Sequence, residues 1–390
     1  TATDSKGNRA NYFDDPTKQN PIWTAPFLDH AETFHIQVVV ACSENPAVQA
    51  AGSVDVRVAA LEVAITEGPA ADVTEAAPNQ AVHLRVSARC NGTEPGVNYQ
   101  WSVEGPEGQP TGSFDDSTSP TPTWTAPIHS SPEPVTYRLK VRCACAANPN
   151  VATEAFVDVV VLPHKVTIVD GPRASGTLVR PNEAVQLSVL AEDSAVGHEV
   201  AYSWRAEDDE GNPAGSFDDP TKPNPVWTAP VHDSLQPKVY HLTVVCRCAD
   251  PAYSDVKAEA RLDITVNPHT VQITDGPTAT PNPVASGGVV SLSVTALDTA
   301  VGHEVEYEWT AQDVDGNPAG SFDDPHSRTP RWTAPENHRD EPARYVLSVR
   351  AYCKDKPGLS DEKRVWVKVQ PCEHVLEIAE GPSAEPNVVG

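Results

Sequence analysis

One motif, used four times, limits what this chain can become. Phe13-Asp-Asp-Pro leads to Trp23-Thr-Ala-Pro26, Phe114-Asp-Asp-Ser to Trp124-Thr-Ala-Pro127, Phe217-Asp-Asp-Pro to Trp227-Thr-Ala-Pro230, and Phe322-Asp-Asp-Pro to Trp332-Thr-Ala-Pro335. The four tryptophans lie 101, 103 and 105 residues apart. Periods of roughly 20 to 50 residues belong to solenoids, whose units cannot fold alone, whereas about 100 residues can enclose a hydrophobic core. The chain therefore reads as a string of separately folding domains. An active site needs its residues once, so a motif present in every unit serves the fold of that unit.

A second series keeps the same period. Glu67-Gly-Pro, Asp170-Gly-Pro, Asp275-Gly-Pro and Glu380-Gly-Pro each end a first strand, and Tyr99-Gln-Trp101, Tyr202-Ser-Trp204 and Tyr307-Glu-Trp309 follow the first three of them about 33 residues later. The register predicts a partial repeat at 1–60, complete repeats at 61–162, 163–267 and 268–370, and the first strand of a further repeat at 371–390. It reads as a window on a longer array.

Within 163–267, Val185, Leu187, Val189 and Ala191 share one parity, as do Tyr240, Leu242, Val244, Cys246 and Cys248, and then Ala260, Leu262, Ile264 and Val266. Alternation of this kind marks half-buried strands. The Asp170-Gly-Pro turn is expected to close the first strand, Trp204 to enter the core from a central strand, and no segment carries a helical period. About seven short strands per hundred residues predict an all-β fold, a tandem array of antiparallel β-sandwiches of immunoglobulin type. Phe13, Phe114, Phe217 and Phe322, with Trp23, Trp101, Trp124, Trp204, Trp227, Trp309 and Trp332, are the expected core anchors. The prolines between them restrict an edge segment, and Asp before Pro starts a turn.

The order Tyr-x-Trp, Gly-Ser-Phe-x-Asp, Pro-x-Trp-Thr-Ala-Pro, Tyr-x-Leu-x-Val resembles the PKD-like immunoglobulin repeats strung along bacterial and archaeal surface proteins. The resemblance covers every repeat, and its motifs are those of a fold rather than of a chemistry. The chain departs from the family in lacking a Trp-Asp-Phe-Gly-Asp-Gly run after Trp101, Trp204 and Trp309. Surface attachment is what the resemblance implies.

Lysine and arginine number 28 against 54 aspartates and glutamates, a net charge of -26. Such a field repels nucleic acid and anionic membranes. No apolar run is long enough to cross a membrane. The 38 prolines and the absence of methionine suit a rigid protein outside the cell.

Three chemistries compete with purely structural readings. The acidic pairs Asp218-Asp219 and Asp323-Asp324, with the turn at Asp313 and Asp315, offer oxygens to calcium, which takes six to eight of them. The alternative is turn chemistry, and the counterpart Glu104-Gly-Pro-Glu-Gly thins the acidic pattern. Disulfides are the second. Cys42, Cys145, Cys248 and Cys353 recur eight residues after the aromatic of the long strand, and Cys143 and Cys246 precede two of them. In an immunoglobulin-type sandwich Cys90 ends a strand running alongside, which makes Cys90–Cys145 the preferred bridge and Cys90–Cys143 the fallback. Asp193 and Asp298 stand where Cys90 does, so Cys248 and Cys353 lack that partner; the remaining thiols, with Cys372, are free to join repeats or chains. Zinc is the third, held by His164, His198, Cys246 and Cys248, with His269, His303 and Cys353 recurring but Ala351 in place of a second thiol. The histidines after each Trp-Thr-Ala-Pro, His30, His129, His232 and His338, read as exposed loop residues.

No phosphate loop, nucleophile elbow or zinc-hydrolase helix is present. The leading expectation is a non-enzymatic extracellular stalk, filament or sheath, with an adhesive role, that pairs with copies of itself or a surface ligand. Each domain would add roughly 30 to 40 Å of reach. Carbohydrate-binding modules and spacer domains of a secreted hydrolase are the competing readings.

Overall fold

The computed structural model describes residues 1–92 and 96–372, so the strand expected at 371–390 lies outside the described residues but for its first two. The described chain is built of strands, with one short 3-10 turn at Pro251–Tyr253. It divides into two compact units, one of Thr1–Val169, Ala191–Ala201 and Cys246–Ala258, the other of Asp170–Leu190, Tyr202–Val245 and the residues from Glu259 onward.

In the first unit, residues 61–162 form two four-stranded sheets. One orders Val63–Ala71, Ala81–Cys90, Thr123–Thr125 and Ser113–Phe114; the other orders Glu75–Ala76, Asn148–Val161, Val135–Cys145 and Val97–Glu104. All the pairings are antiparallel except the short Glu75–Ala76 edge, which runs parallel to Asn148–Val161. Val82, Leu84 and Val86 from one sheet meet Trp101, Tyr137, Leu139 and Val141 from the other in a single core. In the second unit, residues 268–370 repeat the design. Val271–Thr280, Val289–Asp298, Arg331–Thr333 and Ser321–Phe322 face Val305–Gln312, Ala343–Cys353 and Ser360–Val369. Period-two alternation buries every second residue of these strands, which makes a sandwich the way to hide one face of each sheet. Residues 163–267 supply strands in the same two orders, and residues 1–60 form one three-stranded sheet.

The repeated motif becomes a small hairpin on the first sheet. Trp124 pairs with both Val82 and Phe114, Trp227 with Val185 and Phe217, and Trp332 with Val290 and Phe322. These three tryptophans are fully buried, each stabilising its core by about 2 to 3 kcal/mol. Each indole N–H donates to a carbonyl thirteen residues earlier, on Thr111, Ala214 and Ala319. Trp101, Trp204 and Trp309 are also buried and donate to Ser119, Lys222 and Ser327. Trp23 is only half-buried and donates to Ala10. The prolines serve as acceptors: Pro122 and Pro120 take the N–H groups of Leu84 and Val86, and Pro330 that of Leu292. A proline cannot donate to a ladder but its carbonyl can accept, so the segment caps a sheet edge.

Three sequence expectations are corrected here. Phe13, Phe114, Phe217 and Phe322 are half-buried rather than fully buried: Phe13, Phe114 and Phe322 pack against their cores from the side, Phe114 and Phe322 tilted against Trp101 and Trp309. The first strand does not stop at Asp-Gly-Pro: Val63–Ala71 and Val271–Thr280 run through it, with register shifts that absorb the extra residues as bulges. His129 is buried and His232 half-buried, since their Nε2 atoms donate to the carbonyls of Val161 and Val266; Asn337 makes the same bond to Val369. His30 and His338 are exposed as expected.

Candidate functional site

Two clusters of unlike polar side chains sit at the same place in successive repeats. In the first unit, Asp193 is the last residue of Ala184–Asp193 and Cys248 the last of Lys238–Cys248. His164 comes from the linker after Val161, and His198 follows Gly197, whose φ of +81° turns the loop back over the strand ends. In the second unit Asp298, Cys353, His269 and His303 hold the corresponding positions, His303 following Gly302 at φ +79°.

His164 Nε2 lies 2.7 Å from Asp193 Oδ1, and His198 Nδ1 lies 3.2 Å from Cys248 Sγ. The second cluster gives 2.8 Å between His269 Nε2 and Asp298 Oδ1 and 3.3 Å between His303 Nδ1 and Cys353 Sγ. The two histidine rings meet edge to face in both, with centroids 5.3 and 5.0 Å apart. One donor atom from each of the four residues lies within 4.8 Å of the other three. The His164, Asp193, His269 and Asp298 side chains are at most 2% exposed. Even so, Asp193 Oδ2, Asp298 Oδ2, His164 Nδ1 and His269 Nδ1 lack a hydrogen-bond partner. Burial and the neighbouring Asp193 push the Cys248 thiol above its ordinary pKa, and burial and Asp298 do so for Cys353. Burial works to raise Asp298, but the Cys353 thiol, the Ala300 N–H and His269 together hold its carboxyl below the usual range.

The expected zinc set is corrected at one member. Cys246 is not in the cluster, because two residues along a strand displace a side chain by about 6.6 Å even on the same face. Its thiol is buried and pushed up to about 11 by desolvation. Asp193 takes its place, a residue that sequence reasoning aligned with Cys90 but counted only as a missing bridge partner.

Cys90 and Cys145 form a disulfide, with Cα atoms 5.6 Å apart. The fallback partner Cys143 is a free, buried thiol; Cys42 is free and exposed. Cys372 is free and lies 2.8 Å from Ser286 Oγ and 3.8 Å from His338 Nδ1.

The acidic stretches are occupied by backbone donors. Asp218 Oδ1 accepts from the N–H of Val226, Asp219 Oδ1 from Thr221, Asp323 Oδ1 from Arg331 and Asp324 Oδ1 from His326. Asp313 Oδ1 accepts from Asp315 and Asn317. Those N–H groups hold Asp218, Asp313 and Asp323 below the ordinary carboxylate range. One oxygen of each of these carboxylates is thus committed to capping its turn.

The loop of each cluster also touches the preceding repeat. Between Asp193 and His198, Val196 donates its N–H to Pro78 O at 2.9 Å, and its carbonyl accepts from Asn79 Nδ2 at 2.9 Å. Val301, between Asp298 and His303, makes the same pair with Pro181 O at 2.9 Å and Asn182 Nδ2 at 2.8 Å. Asn79 and Asn182 have φ of 62° and 61°, a left-handed conformation that asparagine tolerates better than other side chains.

No protein-family model matches the chain, and no curated protein matches it in sequence. Among solved structures it is similar to extracellular cadherin domains 1–5 of protocadherin gamma B2, at TM-score 0.29 and 11% identity over 96% of this chain and 74% of that one. Drosophila N-cadherin EC1-4 gives 0.25 and 15% over 96% and 92%, and titin domains I67–I69 give 0.32 and 11% over 78% and 98%. The all-β, tandem immunoglobulin-like fold rests on the strand orders and registers above rather than on likenesses of this size. Among the described residues no helix is long and apolar enough to cross a membrane.

Proposed function

We propose that this chain is a section of a non-enzymatic extracellular array, a stalk, filament or sheath with an adhesive role, in which tandem sandwiches transmit tension between a surface and a partner that is either another copy of the chain or a surface ligand. The observation that carries this reading is the duplicated joint: a proline carbonyl and a left-handed asparagine of one repeat hold a valine of the next, with the same four atom types at the same register. A single pair of such bonds is worth little, about 1 kcal/mol each, but the same pair recurs where 163–267 follows 61–162 and where 268–370 follows 163–267. Short linkers containing proline, Leu162-Pro-His164 and Asn267-Pro-His269, add stiffness that a glycine-rich linker would not. The Cys90–Cys145 disulfide suits an oxidising compartment. The net charge of -26 keeps neighbouring strings apart except where specific contacts form.

The test is made on the native source. Antibodies against this chain should decorate extended structures on intact, unpermeabilised cells, and those structures should survive isolation and contain the chain as a major protein. Labelling confined to the cell interior would refute the reading.

A further inference from the structure

We propose that His164, Asp193, His198 and Cys248, and again His269, Asp298, His303 and Cys353, each bind one divalent transition-metal ion of the zinc class, which ties together the strand ends that repeat 61–162 joins through Cys90–Cys145.

Geometry supports the assignment first. Ligand atoms around a tetrahedral zinc, at bond lengths near 2.0 to 2.3 Å, stand about 3.3 to 3.8 Å apart. The four donors of each cluster already lie within 4.8 Å of one another, with closest pairs at 2.7 and 3.2 Å in one and 2.8 and 3.3 Å in the other. Closing such a shell needs shifts of an ångström or less. Chemistry then selects the ion. Two imidazoles, a thiol and a single carboxylate match zinc or its neighbours in the first transition row, while calcium and magnesium require shells made of oxygen. Burial adds the third line: His164 with Asp193, and His269 with Asp298, are withdrawn from water, and buried charged groups are found paired or coordinating a metal.

The strongest support is internal to the chain. Asp193 and Asp298 occupy the register of Cys90, Cys248 and Cys353 that of Cys145, and His164 and His269 that of Leu61. Where the disulfide is present, Leu61 packs against both cysteines as an apolar lid. Where one half-cystine is replaced by aspartate, the lid becomes histidine, and the sequence position of Pro95 becomes His198 or His303. Three positions thus change together in both repeats, from a set that makes a covalent bridge to one that coordinates. Each ion would need its cysteine as a thiolate, so binding releases the thiol proton to solvent. Because Asp193 and His198 flank Val196, and Asp298 and His303 flank Val301, each ion would also fix the loop that makes the joint to the preceding repeat. The metal assignment does not depend on where the protein resides, and its test is separate from that of the proposed function.

The full chain, stripped with a chelator, is titrated with cobalt(II) and followed by absorbance. Two ions per chain are expected, with the visible bands of a tetrahedral site and a near-ultraviolet thiolate-to-cobalt band, all displaced by zinc. Cys248→Ser and Cys353→Ser should each reduce the stoichiometry from two to one and halve the thiolate band, while Cys42→Ser, at an exposed site outside both clusters, should leave two. Asp193→Cys combined with His164→Leu, which copies Cys90 and Leu61 of repeat 61–162, guards against loss of fold as the explanation: it should restore a bridge to Cys248, keep its repeat folded and still remove one cobalt. A stripped chain that takes up no cobalt, uptake without a thiolate band, or two ions retained in Cys248→Ser would each overturn the assignment.

Discussion

Gly320 is where the recurring motif should be least forgiving. It sits at φ +69°, and a Cβ built on it would lie 2.5 Å from the Thr333 carbonyl oxygen and 2.7 Å from Trp332 Cε2, with Nε1 nearer still. Thr333 is pinned by its pairings with Ser321 and Val289, so the carbonyl cannot withdraw without opening the hairpin. Trp332 is fully buried and cannot swing outward. Gly320→Ala therefore carries about 1 to 2 kcal/mol for a left-handed alanine, about 1 kcal/mol for the indole hydrogen bond to Ala319, and a further packing cost of about 1 to 3 kcal/mol for the displaced ring. The expected total is about 3 to 6 kcal/mol. Gly316 supplies the control: its φ is +84° but nothing lies within 4 Å of the new Cβ, so Gly316→Ala should lose only the conformational share, about 1 to 2 kcal/mol. Hydrogen exchange measured by mass spectrometry on the full chain reads both variants locally, through peptides covering 321–333. Equal losses for the two variants would refute the steric part of the reasoning.

Other perturbations test separate features. Cys90→Ser should destabilise 61–162 by about 2 to 4 kcal/mol while leaving exchange in 268–370 unchanged. His129→Ala should cost about 1 to 2 kcal/mol and His129→Asn much less, because Asn337 already makes the equivalent bond to Val369; chemical unfolding followed by the fluorescence of the buried tryptophans compares them. Asp323 has its folded pKa lowered by the Arg331 and Asp324 N–H groups, so the stability it contributes is fully present above the ordinary carboxylate value near 4 and is lost as pH falls through the depressed folded value. Asp323→Asn should flatten the acid sensitivity of exchange at 321–333 as pH falls below the ordinary carboxylate value near 4. His241 shows the opposite sign. Asp263 and Asp209 raise its pKa, so its contribution is present below the ordinary histidine value near 6.5 and fades as pH rises through the raised one, a titration that imidazole NMR shifts measure directly.

Most of the fold was legible because period-two alternation and a repeat of about 100 residues leave little choice of architecture. Val82, Leu84 and Val86 announce an inward face as sequence, and Trp124, Trp227 and Trp332 announce an anchor. Bulges were not legible: Glu67-Gly-Pro is a turn signal, and only sheet pairing on both sides reveals that the strand continues through it. The histidine positions misled for a related reason, since a loop histidine is exposed unless a neighbouring strand offers a carbonyl, as Val161 does to His129. At the candidate site, three of four members in each cluster could be named from sequence because imidazoles and thiols are recognised metal donors. The fourth signal was also visible, as Asp193 and Asp298 align with Cys90. What sequence alone withheld was that these aspartates, and not Cys246, complete the set with the two histidines and the thiol. The joint through Asn79 and Asn182 carried no signal beyond a recurring Pro-Asn pair.

Pulling the full chain between its ends, with a chelator present, tests the tandem architecture most directly. Repeats 163–267 and 268–370 should unfold as separate events that each release about 340 Å of chain, from roughly 3.6 Å per residue less the folded span. Repeat 61–162 should release about 200 Å less, because the disulfide withholds the chain between Cys90 and Cys145, which are 55 positions apart, and a reductant should restore the difference. One event spanning the whole chain, or increments untouched by reductant, would contradict the account.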